Sequence, residues 1–122
     1  MKAGFCFRGA FRVGGIHHYW VFLEDPIADG TVAIVNFTTP QFVSKKAHAV
    51  SPAFFNTLQH DSEVAWGFSS VRPADKIKLC IESGLFTLET GMTAEMVKTL
   101  IQEGETKKLI PKELRKRLKL VS

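Results

Sequence analysis

Apolar positions are densest between His17 and Pro40, where two runs, HHYWVFLEDP and GTVAIVNFTTP, flank a short acidic connection that contains Gly30. Both runs are aromatic or β-branched and bounded by Pro or Gly, which predicts two strands joined as a hairpin. In the first, Tyr19, Val21 and Leu23 alternate with His18, Trp20, Phe22 and Glu24. Both faces are then largely apolar, as in a strand covered on both sides. In the second, Val32, Ile34, Asn36 and Thr38 alternate with Thr31, Ala33, Val35, Phe37 and Thr39. Asn36 is a polar amide within an apolar run and, if buried, needs hydrogen-bond partners. An antiparallel hairpin sets the start of its first strand beside the end of its second. His17 and His18 are therefore expected near Thr38 and Thr39, on one rim of a small sheet.

Residues 2–13 alternate loosely and predict a first strand running into a Gly14-Gly15 turn. Arg8 and Arg12 flank its second half, where a guanidinium fork and a glycine loop suit a phosphate; the alternative is that both are solvated surface arginines. Residues 41–68 have no clean period, although SPAFFNTL suggests a short helix with Ser51 as N-cap and Pro52 at its first position. A long irregular connection in a small domain is often the part that binds something. KIKLCIESGLFTLETG predicts two strands, Lys76 to Ile81 and Leu85 to Glu89, around a Ser83-Gly84 turn. Just before them, WGFSSVRPAD places Ser69, Ser70 and Arg72 where the chain enters the sheet.

From Ala94 to Glu103 the pattern turns helical. Thr93 suits the N-cap, Glu95 the first turn and Gly104 the C′ stop; Met92 is placed to staple onto Val97, and Met96, Val97, Leu100 and Ile101 form one apolar face. A second helix is expected from Pro111 to about Leu120. Leu114 and Leu118 give it a narrow apolar stripe beneath a basic surface that carries Lys112, Arg115 and Lys116.

At 122 residues, with 45% hydrophobic residues and ten Phe, the chain predicts one globular domain over residues 1–122. No run approaches the ~20 apolar residues of a membrane span, and the start has no signal-peptide core, so the expected location is the cytoplasm with no membrane partner. Cys6 and Cys80 form no CxxC pair and are expected to be small buried hydrophobes. No metal site is expected from His17, His18, His48 and His60, because adjacent strand residues point to opposite faces and the others lack ligand spacing. Charge is uneven. Residues 105–122 hold seven Lys or Arg against two Glu, a net of +5 in a chain of +4, so the remaining 104 residues sum to −1. The basic character belongs to the tail, which is either a solvated cationic helix or a surface for RNA or an acidic partner.

Taken in order, HHYWVFLEDP, IVNFTTP, SSVRPAD and a C-terminal helix followed by GETKKLIPKEL, the chain resembles the PemK/MazF family of toxin ribonucleases, in particular its divergent PemK-like branch. The resemblance implies an SH3-like barrel, mainly β with a packed helix, usually homodimeric and paired with an antitoxin protein. It also implies cleavage of single-stranded RNA with the ribose 2′-OH as nucleophile and no metal or other cofactor. Active members carry a basic residue entering the strand that here begins HHYWVF and a Ser or Thr ending the strand IVNFTT. By position these are His17 or His18, and Thr38 or Thr39; where the family usually has Arg, this chain has His.

The chemistry stands without the family. Attack by a 2′-OH needs a base for its proton, an acid for the leaving 5′-oxygen and positive charge on the phosphorane oxygens. Imidazole, titrating near 6.5, serves as either acid or base near neutrality. Arg8 or Arg12 would supply the charge, and Thr38 or Ser70 a hydrogen bond to a non-bridging oxygen. Ser69 and Arg72, with Lys112, Arg115 and Lys116, complete the candidate RNA contacts. The rival readings are a non-catalytic SH3-like module that binds RNA or an acidic protein, and an accessory protein whose segment 41–68 docks an acidic partner.

Overall fold

The computed structural model describes residues 1–40 and 47–120. Among the described residues seven strands form one antiparallel sheet: β1 (Cys6–Gly9), β2 (His18–Phe22), β3 (Thr31–Thr38), β4 (Ala49–Val50), β5 (Ser62–Val64), β6 (Ser70–Pro73) and β7 (Thr87–Glu89). Their order is β4-β5-β3-β2-β1-β7, with β6 also on β3. β3 is the hub. One edge of it pairs with β2, while β5 takes its Phe37 and Thr38 end and β6 its Thr31 to Ile34 end. Among the described residues β4 and β7 do not pair with each other, so the sheet is open and the fold is mixed α+β, mainly β.

The β2–β3 hairpin forms in the expected register, with Tyr19 opposite Phe37 and Phe22 opposite Ile34. Its alternation divides the core in two. Val21, Leu23, Ala33, Val35 and Phe37 face a cluster closed by α2 (Ala94–Thr106) and α3 (Lys112–Arg117), through Val97, Leu100 and Leu114. Phe7, Trp20, Phe22, Val32 and Ile34 face the other cluster, closed by Ala74 and Ile77 of α1 (Ala74–Glu82) and by Phe86. Each fully buried side chain of this size contributes about 1.5–3 kcal/mol, which is why a strand apolar on both faces needs a cover on both. Asn36 lies opposite Trp20 and is buried, and its Oδ1 accepts no hydrogen bond among the described residues.

Several elements differ from the sequence expectation. Lys76 to Ile81 is not a strand but the body of α1. Ala74 and Ile77 are buried three residues apart, Cys80 and Ile81 pack against the same cluster, and Asp75 sits in the first turn, so an apolar period near 3.6 had looked like alternation. Gly84, at φ +82°, ends this helix rather than turning a hairpin. The expected second strand shortens to β7, which pairs with β1.

SPAFFNTL forms turns rather than a helix, with only the Phe54 and Phe55 N–H groups reaching Ser51 O. Phe55 and Leu58 are drawn into the core, and Thr57 Oγ1 donates to Thr90 O at 2.6 Å, so tertiary contacts hold it. The remainder of the irregular segment includes residues 41–46, which lie outside the described residues.

Thr93 caps α2 as expected, its hydroxyl accepting from Met96 N. Gly104, however, lies inside the helix, where a Cβ would meet the Trp66 ring at 2.8 Å. The chain turns instead at Lys107 and Lys108, the latter at φ +57°. α3 is shorter than expected, and Arg117 pins it by donating to Glu24 Oε2 at 2.7 Å and Thr31 Oγ1 at 2.9 Å.

Cys6 is fully buried, and desolvation, aided by Glu89, pushes its thiol up to about 12. Cys80 is only half-buried, because it sits at the side of α1 rather than in a strand. Among the described residues no helix is long and apolar enough to cross a membrane.

Candidate functional site

β1 ends, β2 begins and β3 ends at one rim of the sheet, and pairing sets Gly9 opposite His18, Tyr19 opposite Phe37 and Thr38 opposite Glu63. A cleft of about 180 Å³ opens there, lined by Arg8, His17, His18, Thr38, Thr39 and His60, with Tyr19 and Ser62 behind them. The hairpin register alone accounts for the meeting of the His-His and Thr-Thr pairs. β1 adds Arg8, exposed and opposite Tyr19. The loop before β5 adds His60.

Two imidazoles in the cleft have their tautomer set by backbone carbonyls. His18 Nδ1 lies 3.2 Å from Phe37 O, and since a carbonyl only accepts, Nδ1 carries the hydrogen and the neutral ring keeps its lone pair on Nε2. His60 Nδ1 lies 2.9 Å from Asp61 O, with the same result. The rings are held differently. His18 is half-buried and meets Trp20 edge-on at 6.4 Å, whereas His60 is exposed on a loop steadied by the Ser62 hydroxyl, which donates to His60 O at 3.1 Å. The cleft therefore offers the Nε2 lone pairs of His18 and His60, the imidazole of His17, a guanidinium and a pair of threonine side chains. Among the described residues no three His, Cys, Asp or Glu side chains converge as a metal ligand set.

The other sequence candidates lie elsewhere. Arg12 and Arg72 line a separate groove of about 500 Å³ beside the cleft, to which His17 also contributes. Arg72 Nε donates to Ser70 Oγ at 3.2 Å, and its guanidinium lies 4.3 Å from the centre of the Phe11 ring. Ser70 pairs with Ile34, four residues along β3 from Thr38 and so about 13 Å away. Ser70 does not line the cleft, so of the two hydroxyls considered for a non-bridging oxygen, Thr38 or Ser70, the cleft holds Thr38. Ser69 and Ser70 instead border a shallow pocket against Pro111, Leu114 and Arg117 of the C-terminal segment. Through Arg117 on Thr31, α3 sits at the start of β3, about 23 Å along the strand from Thr38. Arg115 is ion-paired with Glu105, while Lys112 and Lys116 are exposed. These three belong to a surface distinct from the cleft.

His60 was not singled out for catalysis from the sequence. It precedes a strand of only three residues inside a stretch without period, and only the pairing of β5 with Phe37 and Thr38 brings it to the rim. His48, by contrast, is no part of the cleft. Its Nδ1 accepts from Trp66 Nε1 at 2.9 Å, so Nε2 bears the hydrogen and donates to Glu103 Oε2 at 3.0 Å. Comparison with known proteins finds no matching family model, no matching curated protein and no matching solved structure.

Proposed function

We propose that the chain is an endoribonuclease toxin of the PemK/MazF type, cutting single-stranded RNA by 2′-OH transesterification without a metal. The observation that carries this reading is the convergence of Arg8, His18, Thr38 and His60 on one solvent-open cleft, with Nε2 of both rings available. One imidazole takes the 2′-OH proton as the 2′-oxygen bonds to phosphorus. The other, protonated, gives its proton to the 5′-oxygen as the P–O5′ bond breaks, leaving a 2′,3′-cyclic phosphate and a 5′-hydroxyl. Arg8 and the Thr38 hydroxyl stabilise the charge on the non-bridging oxygens. An SH3-like barrel, a homodimer, an antitoxin partner and action in the cytoplasm belong to the same reading; the pairing of β3 with three other strands supports the first.

Incubation of the purified protein with RNA in EDTA tests the reading. Cleavage with cyclic-phosphate ends is expected, abolished by His18→Ala and by His60→Ala separately. Intact RNA at stoichiometric, folded protein overturns it. The exposed Lys112 and Lys116 favour a second reading, a module that holds RNA without cutting it. That reading expects salt-sensitive binding with no product, lost when residues 105–122 are removed.

A further inference from the structure

A cavity of about 500 Å³ lies beside the cleft rather than in it. Its floor is apolar, formed by Phe11, Ile77, Cys80 and Phe86 with Leu85 at the edge, and among the described residues its polar lining is Arg12, His17, Arg72 and Lys76, with no acidic residue. Such a surface suits a ligand with a planar apolar body and a negative charge. Arg72 is already oriented for one. Its Nε is engaged by Ser70 and its guanidinium carbon lies over the Phe11 ring, which leaves the terminal amino groups without a hydrogen bond among the described residues. His17 lines both cavities, so the cleft and the groove adjoin at that residue.

We infer that the groove seats one nucleotide of the RNA strand, next to the phosphodiester held in the cleft, with its base on the apolar floor and its phosphate among Arg12, Arg72 and Lys76. The inference rests on the ribonuclease reading of the cleft. Single-stranded RNA is held in this manner elsewhere, by bases stacked on aromatic rings or guanidinium planes within a positive groove. An acidic peptide would satisfy the charge, but the aromatic floor and the continuity through His17 favour the nucleotide.

Titration of adenosine 5′-monophosphate into isotope-labelled full-length protein, followed by amide shifts, reads the groove without any cleavage step. Shifts are expected in the loop from Ala10 to Gly14 and at Lys76 and Cys80. Lys76→Glu and Leu85→Asp, both at exposed positions, are each expected to weaken the nucleotide about tenfold. The same two variants are expected to raise KM for a short single-stranded oligoribonucleotide with kcat unchanged. Shifts confined to the cleft, or unaltered affinity in both variants, overturn the inference while cleavage by the native protein keeps the ribonuclease reading. Groove shifts in a protein that cuts no RNA uphold the nucleotide site and overturn the ribonuclease reading. Groove binding of a glutamate-rich peptide with no response to the nucleotide overturns the inference in favour of a protein partner.

Discussion

His48 is enclosed between Trp66 and Glu103, with its ring stacked on the indole at 6.0 Å. Burial pushes its pKa below the ordinary imidazole value, and the bond to Glu103 offsets this only in part. The unfolded chain therefore binds a proton that the folded chain resists, so stability is full above about pH 6.5 and falls as the pH drops toward the lower folded value. His48→Leu should cost about 1–3 kcal/mol at neutral pH, because Trp66 Nε1 loses its acceptor. Urea unfolding at about pH 7.5 and 5.5 should also show a smaller acid loss in this variant than in the native chain. Gly104→Ala poses a related contest. Alanine gains roughly 1 kcal/mol of helix propensity, yet its Cβ would sit 2.8 Å from Trp66 and 3.0 Å from Ile110. Overpacking of this kind costs about 1–3 kcal/mol, so a lower melting temperature is expected despite the better helix former.

The element most misread from sequence is α1. Its residues carry enough β-branched and apolar character for a strand, and local pattern does not register that the second face of the hairpin lacks a cover. Ile77 supplies that cover and is 1% exposed. Ile77→Ala should lower stability by about 3 kcal/mol in urea unfolding, whereas Lys78→Ala, exposed on the same helix, should stay within about 0.5 kcal/mol. α2 was legible because its cap and period agree. Its end was not, since Gly104 answers to a ring that is 38 residues away in sequence.

Across the whole molecule, β3 separates two surfaces. The cleft lies at its Thr38 end and α3 at its Thr31 end, so the charge concentrated in the tail is not the charge of the candidate active site. Arg8→Ala is expected to lower single-turnover cleavage on the order of a hundredfold, as the loss of one stabilising donor typically does. Lys112→Ala combined with Lys116→Ala should leave that rate unchanged at saturating protein. Loss of cleavage in the double lysine variant would place the chemistry at α3 and exclude the cleft.

Local order along the chain was enough to determine the β2–β3 hairpin, its two apolar faces, the capped α2 and the meeting of His18 with Thr38, because strand alternation and antiparallel register act between neighbours in sequence. Tertiary structure alone decided that residues 74–82 are helical, that Gly104 continues a helix and that His60 joins the cleft while Ser70 stays outside it. Each of these depends on a surface built by distant residues: an uncovered sheet face, the Trp66 ring, and the far edge of β3. Distant pairing contributes packing energy that no local period records.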